Sequence, residues 1–431
     1  MSTTQTPVQP GGLFDIPGVQ GQTQWFDQYE DTQVLSFTIS SSVQTPLLGI
    51  ADFRRTDVLM NWRLHFIFTS ASWTAGTGQT LTTSQYAPYN IIGPVKLQIQ
   101  NQYSAVNVES GIDLYILNLI RPYRRTAALL GVVNDANPPG SPLGSAGIGY
   151  LNVSTPQSNT TLPAAQWTRS TAAWDLLLDL PGGIWLDEYY AMTIDGNYLG
   201  AVPDLFVSPQ YMAGTQRLIK PQITMNPLLG ATTDVAPVQT TSLTPTSDSA
   251  STAAITSTFT IKRRGVYGSS STLVLPPTQP WQYSVTTQRF SIAGVTVTSN
   301  LKIPDNSGQV LSTWLRLYDP LASAGVGGPI QLSALSTNPH SVQLLYGSGL
   351  TWFDGIAEEM QDLWIQQRGV LLPQGTLAFD FAVDEQSNIT NKRCPNTYTT
   401  AGIQWVLTFS STTSAAAYAV MGIESLVYVT G

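Results

Sequence analysis

Residues 86–125 read YAPYNIIGPVKLQIQNQYSAVNVESGIDLYILNLIRPYRR, and the spacing of their apolar residues changes halfway. Apolar and polar residues alternate over 95–100, which is the period-two pattern of a half-buried strand. Beyond Ser110 the apolar residues recur mainly every three or four positions: Ile112, Ile116, Leu119 and Ile120. Ser110 also opens a Ser-x-x-Asp sequence typical of a helix start, and Pro122 ends the pattern. The segment predicts a strand followed by a helix.

The same order of elements recurs in the second half of the chain. Thr351 opens a Thr-x-x-Asp sequence and Gly369 follows the pattern, which predicts a helix over 351–368. One face of this segment is apolar and comprises Phe353, Ile356, Met360, Leu363 and Trp364. In each half a strand leads into a capped helix and further strands follow. We interpret this order as an internal duplication.

Most of the remaining chain has the pattern of strands. Over 59–69 every second residue is large and apolar: Met60, Trp62, Leu64, Phe66 and Phe68. One-sided strands of this kind are typical of antiparallel sheets. The pattern predicts an all-β protein of two consecutive eight-stranded jelly rolls, a double jelly roll, each with a flanking α-helix and long loops. A pair of immunoglobulin-like sandwiches is the alternative fold.

Composition indicates where the units begin and end. The 431 residues exceed the roughly 250–300 of a single core, so two domains are expected. Residues 1–30, rich in Pro, Gly, Gln and Thr, are predicted to form an N-terminal arm that contacts neighbours. The first jelly roll is assigned to 31–230, with a long loop at 126–165, and the second to 258–431. Residues 231–257 are interpreted as a linker or exposed loop, and both loops are expected on the outer surface.

Charge and cysteine content limit the function classes. Only 11% of residues are charged, against about 25% usually, and the formal net charge is −8. A weakly charged surface suits a protein covered by copies of itself, and the acidic balance argues against sequence-specific nucleic-acid binding. The single cysteine, Cys394, excludes an internal disulfide framework. Because no secretion signal or long apolar run is recognised, we expect synthesis in the cytoplasm.

Residues suited to catalysis or cofactor binding are few. The two histidines, His65 and His340, are too few for a histidine-based metal site, and no phosphate-binding loop is recognised. The carboxylate pairs Asp187–Glu188 and Glu358–Glu359 meet the minimal requirement of a glycoside hydrolase. The second pair, however, falls on the polar face of a predicted helix. We predict no enzymatic activity and no catalytic, cofactor-binding or metal site.

Two basic clusters stand out in this weakly charged chain. They comprise Arg121, Arg124 and Arg125 after the first predicted helix, and Lys262, Arg263 and Arg264 in the second half. Such clusters contact anionic lipid headgroups or the carboxylates of another subunit, or they pair locally with Asp and Glu. We treat these residues as candidate membrane or inter-subunit contacts.

The segment 86–125 resembles a known family. Two parts of it are similar to the first jelly roll of tectivirus major capsid proteins. They are the start, Tyr86-Ala87-Pro88-Tyr89-Asn90-Ile91-Ile92, and the later Ser110-Gly111, Leu114 and Asn118. An aromatic-small-Pro-x-Asn-aliphatic start precedes a Ser-Gly helix entry there at nearly the same spacing. The order of the C-terminal elements, with Gly369-Val370 after the helix and a final hydrophobic strand over 423–429, is also similar.

The resemblance implies a double jelly-roll coat protein of a bacteriophage virion. Homotrimers would form pseudo-hexagonal capsomers that tile an icosahedral shell, with loops forming an outer tower. The implied partners are neighbouring capsomers, penton and minor capsid proteins, and an internal viral membrane. Relatives can begin with an amphipathic helix that reaches this membrane, whereas residues 1–24 are rich in Pro and Gly and are not expected to form one.

Two other function classes stay open at this point. A carbohydrate- or receptor-binding β-sandwich, such as a spike or a lectin, predicts exposed aromatic residues and no shell-like assembly. A glycoside hydrolase predicts that replacing Glu358 or Asp187 abolishes hydrolysis.

Overall fold

The structure is a computed structural model, and all structural statements below refer to the residues that it describes. These are residues 26–40, 47–50, 58–74, 81–83, 86, 90, 92–99, 103–120, 161–162, 175–180, 219–227, 229–231, 236, 238–240, 252–267, 281–298, 300–323, 326–330, 332, 339–347, 350–368, 372–373, 375–381, 394–398 and 402–428.

The described elements of the first half end with a long strand at Tyr267. They are β1 (Phe26–Ser40), β2 (Leu47–Ile50), β3 (Val58–Thr74), β4 (Leu81–Thr83), β5 (Ile92–Ile99), β6 (Tyr103–Val108), α1 (Gly111–Ile120), β7 (Thr161–Leu162), β8 (Asp175–Leu180), β9 (Ile219–Met225), β10 (Leu229–Ala231), β11 (Val238–Thr240) and β12 (Thr252–Tyr267).

The described elements of the second half begin at Trp281. They are β13 (Trp281–Ser291), β14 (Leu301–Lys302), β15 (Gln309–Ser323), β16 (Val326–Pro329), β17 (Pro339–Tyr346), β18 (Leu350–Gly355), α2 (Ala357–Arg368), β19 (Thr376–Asp380), β20 (Gln404–Phe409) and β21 (Tyr418–Tyr428).

Eight strands of the first half form two sheets. One sheet has the order β1-β12-β3-β8, and the other has the order β6-β5-β9-β2. The eight strands can be numbered along the chain from first to eighth when the short strands β4, β7, β10 and β11 are left out. In this numbering the first sheet has the order first, eighth, third, sixth. The second sheet has the order fifth, fourth, seventh, second. All pairings within the two sheets are antiparallel. This topology is that of an eight-stranded jelly roll.

The second half repeats this topology. Its sheets have the orders β13-β21-β15-β19 and β18-β17-β20-β14, again first-eighth-third-sixth and fifth-fourth-seventh-second when β16 is left out. A helix follows the fifth jelly-roll strand in both halves, α1 after β6 and α2 after β18. The predicted fold class, an all-β double jelly roll with a flanking helix in each half, is confirmed.

The boundary between the two jelly rolls differs from the sequence assignment. β12 begins at Thr252, inside the predicted linker 231–257, and pairs with β1 and β3 of the first half. Residues 258–267 therefore complete the first jelly roll, and the second begins with β13 at Trp281. β1 begins at Phe26, within the segment assigned to the arm. The alternation of residues reveals a strand but not its partners, which lie about two hundred positions upstream.

A small sheet stands at one end of the first jelly roll. Its order is β10-β11-β4-β7, and we call it the loop sheet. β4 lies between the third and fourth jelly-roll strands, β7 between the fifth and sixth, and β10 and β11 between the seventh and eighth. Successive jelly-roll strands run in opposite directions, so these three connections leave the barrel at the same end. The loops predicted at 126–165 and 231–257 both contribute strands to this sheet.

The second helix starts later than its sequence predicts. Thr351 and Asp354 lie in β18, and α2 begins at Ala357. The backbone of β18 pairs with β17, with Phe353 opposite Leu344, so strand pairing takes the residues that a helix would have used. The backbone N–H of Ile356 instead donates to the Glu359 carboxylate at 3.0 Å, which is half of a capping box.

Candidate functional site between the two jelly rolls

The two jelly rolls are joined through the edges of two sheets. β6 is the last strand of one sheet of the first half, and it pairs in parallel with β13, the first strand of the second half. Val106 stands opposite Val285, and both side chains are fully buried. A continuous sheet of nine strands results, and it crosses from one jelly roll to the other. We call the surfaces that meet around this pairing the inter-roll contact.

Helix α1 lies at the inter-roll contact directly after β6. The Ser110 hydroxyl accepts a hydrogen bond from the backbone N–H of Ile112 at 3.4 Å, as a residue that caps a helix N-terminus does. The same hydroxyl donates to the backbone carbonyl of Ile92 in β5 at 3.3 Å, which ties the helix start to the sheet. Every residue of α1 whose burial is described is buried, as expected of a helix that is apolar on all sides.

A buried ion pair connects α1 to the second jelly roll. Asp113 and Arg316 have side-chain exposures of 0% and 1%, and the Arg316 Nε lies 3.4 Å from Asp113 Oδ1. The Trp314 indole N–H also donates to Asp113 Oδ1, at 3.4 Å. Asp113 comes from the first half, whereas Trp314 and Arg316 lie on the same face of β15 in the second. Because losing either partner would leave a charge uncompensated away from water, the pair specifies how the two jelly rolls meet.

Aromatic rings surround this ion pair. The Arg316 guanidinium carbon lies 5.2 Å from the centroid of the Tyr86 ring, within the range of a cation–π contact. Tyr86 in turn packs on Tyr318, with centroids 5.8 Å apart, and Tyr318 packs on Tyr418 at 5.5 Å. This row of rings continues from the first jelly roll into the second.

A second ion pair lies at the rim of the contact, where side chains are partly exposed. The Arg289 guanidinium of β13 pairs with the Glu109 carboxylate, and it also lies 4.0 Å from the centroid of the Tyr418 ring. The backbone N–H of Glu109 donates to the Thr287 hydroxyl at 2.8 Å. Both interactions join the end of β6 to β13. Solvent screening makes the rim pair weaker than the buried one.

A glycine makes room for Trp314. A Cβ atom built on Gly422 of β21 would lie 1.8 Å from Trp314 Cε2, far closer than any real contact. Gly422 is the cross-strand neighbour of Trp314 in the sheet. The missing side chain therefore leaves room for the indole, whose N–H donates to Asp113.

Tyr86 and Asn90, which are described residues of the resembling motif, lie just before β5 and make contacts near the loop sheet. The backbone N–H of Asn90 donates to the Tyr86 carbonyl at 3.2 Å, which closes a turn. The Asn90 side chain donates to the Ala236 carbonyl at 3.0 Å, and the Asn226 side chain donates to the Asn90 carbonyl at 2.8 Å. These buried bonds join the connection before β5 to the one after β9. The Asn of the motif thus has a structural role in linking these connections.

The six predicted basic residues fall in different places. Arg121, Arg124 and Arg125 lie outside the described residues. Lys262, Arg263 and Arg264 lie in β12, where their backbones stand opposite Asp31, Glu30 and Tyr29 of β1 respectively. Two of these three cations therefore have an acidic residue opposite them in register, which is the arrangement that local pairing requires. The strand β12 that carries these three described cations belongs to the sheet β1-β12-β3-β8 and not to the nine-stranded sheet of the inter-roll contact.

Of the candidate catalytic residues, the structure describes Glu358 and Glu359 in α2. Asp187 and Glu188 lie outside the described residues, and Glu359 holds the N–H of Ile356 at the start of α2. Within the described ranges no group of three or more His, Cys, Asp or Glu side chains is placed to hold a metal ion. No helix in the described part is long and apolar enough to cross a membrane.

Reasoning from the sequence did not find the ion pair. The sequence pattern places Asp113 in a Ser-x-x-Asp helix start and Arg316 in an alternating strand with Val310, Ser312 and Trp314, and 203 positions separate the two charged residues. One available signal was the composition of α1, GIDLYILNLI, which is apolar around its whole circumference. A helix on the surface of a single jelly roll would need a polar side, so this composition indicates burial against a second unit.

Comparison with known proteins identifies the fold. No family model and no curated protein sequence matches the chain. The crystal structure of the STIV MCP, the major capsid protein of Sulfolobus turreted icosahedral virus, matches 93% of this chain and 97% of its own, with 13% identity and a TM-score of 0.54. A chain of the atomic structure of Sulfolobus turreted icosahedral virus matches 93% of this chain and 91% of its own, with 13% identity and a TM-score of 0.52. The Faustovirus major capsid protein covers 95% of the chain and 92% of its own, with 11% identity and a TM-score of 0.49.

The two matches with TM-scores above 0.5 each cover 93% of the chain, a share that includes both jelly rolls. The chain has the double jelly-roll fold of viral major capsid proteins, as its resemblance to the tectivirus family implied.

Proposed function

We propose that the protein is a major capsid protein that assembles into an icosahedral virus shell. One observation carries the proposal: the chain contains two jelly rolls of identical topology, fused edge to edge, and matches a virion coat protein over 93% of its length. A single binding domain has no need of two such units in fixed orientation. The alternative of a carbohydrate- or receptor-binding sandwich is not favoured.

The mechanism of such a protein is geometric. Two fused jelly rolls of the same shape present similar outlines to their neighbours, so three copies make a ring of six similar units with closed threefold symmetry. A six-sided block of this kind tiles a shell through repeated, weaker contacts. Neighbouring copies and capsomers are therefore the main partners, and the protein resides in the virion. Penton proteins, minor capsid proteins and an internal membrane are further proposed partners.

The loop sheet is proposed to face outward. It collects strands from three connections at one end of the first jelly roll, including parts of 126–165 and 231–257. If the strands stand upright in the shell, this end forms a projection above it. The arm before β1 and the basic residues of the two clusters are proposed to contact neighbouring subunits or the membrane.

The proposed function needs no catalytic chemistry. The polar cluster around Asp113, described above, is closed to solvent and joins two parts of one chain. We accordingly propose that the protein is not an enzyme and needs no cofactor.

Native mass spectrometry of the purified full chain tests the proposal. The expected result is a stable species of three chains at micromolar concentration, with larger multiples at higher concentration. A chain that stays monomeric under these conditions would overturn the proposed function. A binding screen against immobilised glycans gives the converse test, since saturable binding by such a monomer would support the sandwich alternative.

A further inference from the structure

The parallel pairing of β6 with β13 sets the direction of the second jelly roll relative to the first. β6 is the fifth strand of its jelly roll and β13 is the first strand of the next. Because successive strands of a jelly roll alternate in direction, the odd-numbered strands run the same way in both. In the first jelly roll these strands end at the loop sheet. The opposite end, which we call the base, is therefore the same end in both jelly rolls.

Three connections of the second jelly roll lie at the base. They follow its second, fourth and sixth strands, β14, β17 and β19. The backbone N–H of Gly347, after β17, donates to the carbonyl of Gly402, before β20, at 3.3 Å. The N–H of Thr397 donates to the carbonyl of Gly308, before β15, at 2.8 Å. These bonds join the three connections into one surface.

Aromatic rings stand at this surface where the edges of the two sheets meet. Tyr346 of β17 packs on Trp352 of β18, with ring centroids 4.5 Å apart. Trp352 packs on Phe381, directly after β19, at 4.8 Å, and Phe381 packs on Phe379 at 5.1 Å. Leu350, the cross-strand neighbour of Tyr346, is 66% exposed. We call these five residues the base patch.

The base patch combines an exposed apolar side chain with accessible aromatic ones. Tyr346, Trp352 and Phe379 are half-buried, so each keeps part of its surface in contact with solvent. Aromatic surfaces of this kind bind proline-rich segments in the polyproline II conformation, which lose little entropy on binding. The base does not favour an anionic lipid surface, because its Lys302 pairs with Asp305 at 3.1 Å. A proline-rich segment is therefore the occupant that the chemistry favours.

The chain contains such a segment upstream of β1. Residues 7–19 read PVQPGGLFDIPGV, and they lie outside the described residues. Pro7 and Pro10 have the Pro-x-x-Pro spacing that places two proline rings on one side of a polyproline II helix, which has three residues per turn. Large apolar side chains follow them at Leu13, Phe14 and Ile16. The segment thus offers proline and apolar surface to an aromatic patch.

The segment leaves the first jelly roll at the base and is long enough to reach the base patch. β1 is an odd-numbered strand, so the chain before Phe26 enters it at the base. The stretch from Pro10 to Phe26 spans up to about 50 Å when extended, at about 3.1–3.3 Å per residue. The nine-stranded sheet that crosses both jelly rolls is about 40 Å wide, since strands lie about 4.8 Å apart. The same chain can therefore supply the segment.

We infer that residues 7–19 bind the base patch of the same chain in an extended conformation. The proline rings pack on the aromatic side chains, and the apolar residues that follow cover Leu350. The contact lies within one chain, so it goes beyond the proposed function and does not depend on it. It adds to the contacts with neighbouring subunits or a membrane that are proposed for the rest of the arm.

Disulfide trapping in the full chain tests the inference. Leu13→Cys with Leu350→Cys is expected to give an intrachain disulfide on mild oxidation, because binding holds the two positions together. The natural cysteine is removed by Cys394→Ser, so that no third thiol competes. Non-reducing electrophoresis separates the intrachain product from the unlinked chain and from disulfide-linked pairs of chains. Linked pairs in place of the intrachain product would overturn the inference.

The matched control keeps the arm and moves the second cysteine. Val297 is 50% exposed and lies between the first and second strands of the second jelly roll, at the end opposite the base. Leu13→Cys with Val297→Cys is expected to form the intrachain disulfide at least about tenfold less, because tethering alone must bring the two positions together. Equal yields from the two pairs would show that the arm has no preference for the base patch and would overturn the inference.

Hydrogen exchange of the unsubstituted chain needs no engineered cysteine, and it applies even where a variant fails to fold. The amides of residues 11–16 should exchange at least about tenfold more slowly in this chain than in Leu350→Asp, where the base patch carries a charge. Val297→Asp should keep the slow rate. Protected amides in a chain that stays monomeric would support the inference while overturning the proposed function.

Two outcomes of this measurement contradict the inference. Unprotected exchange of residues 11–16 in the unsubstituted chain would overturn it. If such a chain also bound phosphatidylcholine vesicles and Leu350→Asp abolished that binding, lipid would be the occupant of the base patch in place of the arm.

Discussion

At the scale of single residues, the contact between the jelly rolls depends on a charge pair without access to water. Asp113 accepts donors from both Trp314 and Arg316, and each donor comes from the opposite half of the chain. A buried pair of this kind contributes little net stability, but it penalises any arrangement that separates its members. We interpret the pair as the element that selects one orientation of the two jelly rolls.

Replacing one member of this pair should lower the free energy of unfolding strongly. Replacing both members should lower it by less than the sum of the two single replacements. Asp113→Asn leaves the Arg316 guanidinium uncompensated and is expected to destabilise the protein by about 3–5 kcal/mol. Arg316→Met should have a similar effect. Denaturant unfolding of the two single variants and the double variant measures the coupling. Strictly additive effects would show that the two groups do not act as a pair.

The space that Gly422 leaves for Trp314 gives a second prediction. Gly422→Ala is expected to destabilise the protein by at least about 1–3 kcal/mol, because the new Cβ overlaps the indole. Gly328→Ala is the matched control, since no atom lies within 4 Å of the Cβ built there. A shift of the thermal unfolding midpoint for Gly422→Ala no larger than for the control would contradict this account of the packing.

At the scale of elements, Ser110 and Thr351 precede the two helices with similar hydroxyl side chains, but their removal is expected to affect stability differently. Ser110 caps α1, so Ser110→Ala should cost about 1 kcal/mol. Thr351 is exposed in β18, so Thr351→Ala should change stability by less than about 0.5 kcal/mol. Chemical denaturation of both variants measures the difference. An equal loss for both would indicate that Thr351 caps a helix after all.

The sequence predicted which helices and strands exist better than it predicted the residues at which they begin and end. α1 follows the predicted Ser110 start because no competing strand uses its residues. The second helix was placed six positions too early, at Thr351 instead of Ala357. The helical spacing of apolar residues in α2 extends toward the N-terminus as far as Phe353. Phe353 also fits the alternation of a strand, and because it pairs with β17 it lies in β18 and not in the helix. The apolar spacing of one segment cannot decide between a strand and a helix here, because the choice depends on whether another strand pairs with that segment.

At the scale of the whole molecule, the order of strands and helices predicted two jelly rolls, with a pair of immunoglobulin-like sandwiches as the alternative. The pairings between distant segments were not predictable, and two of them decide the architecture. β12 completes the first jelly roll instead of opening the second, and β13 joins β6 across the halves. The inter-roll contact depends on these pairings, so its residues could not be named from one sequence.

We propose above that three copies of the chain form a closed capsomer of six jelly rolls. Electron microscopy of the purified full-length protein tests it most directly, because class averages show the outline and symmetry of single assemblies. We predict particles with a six-lobed, near-hexagonal outline and threefold symmetry. Class averages that show only single double-lobed chains, or twofold particles, would contradict the claim.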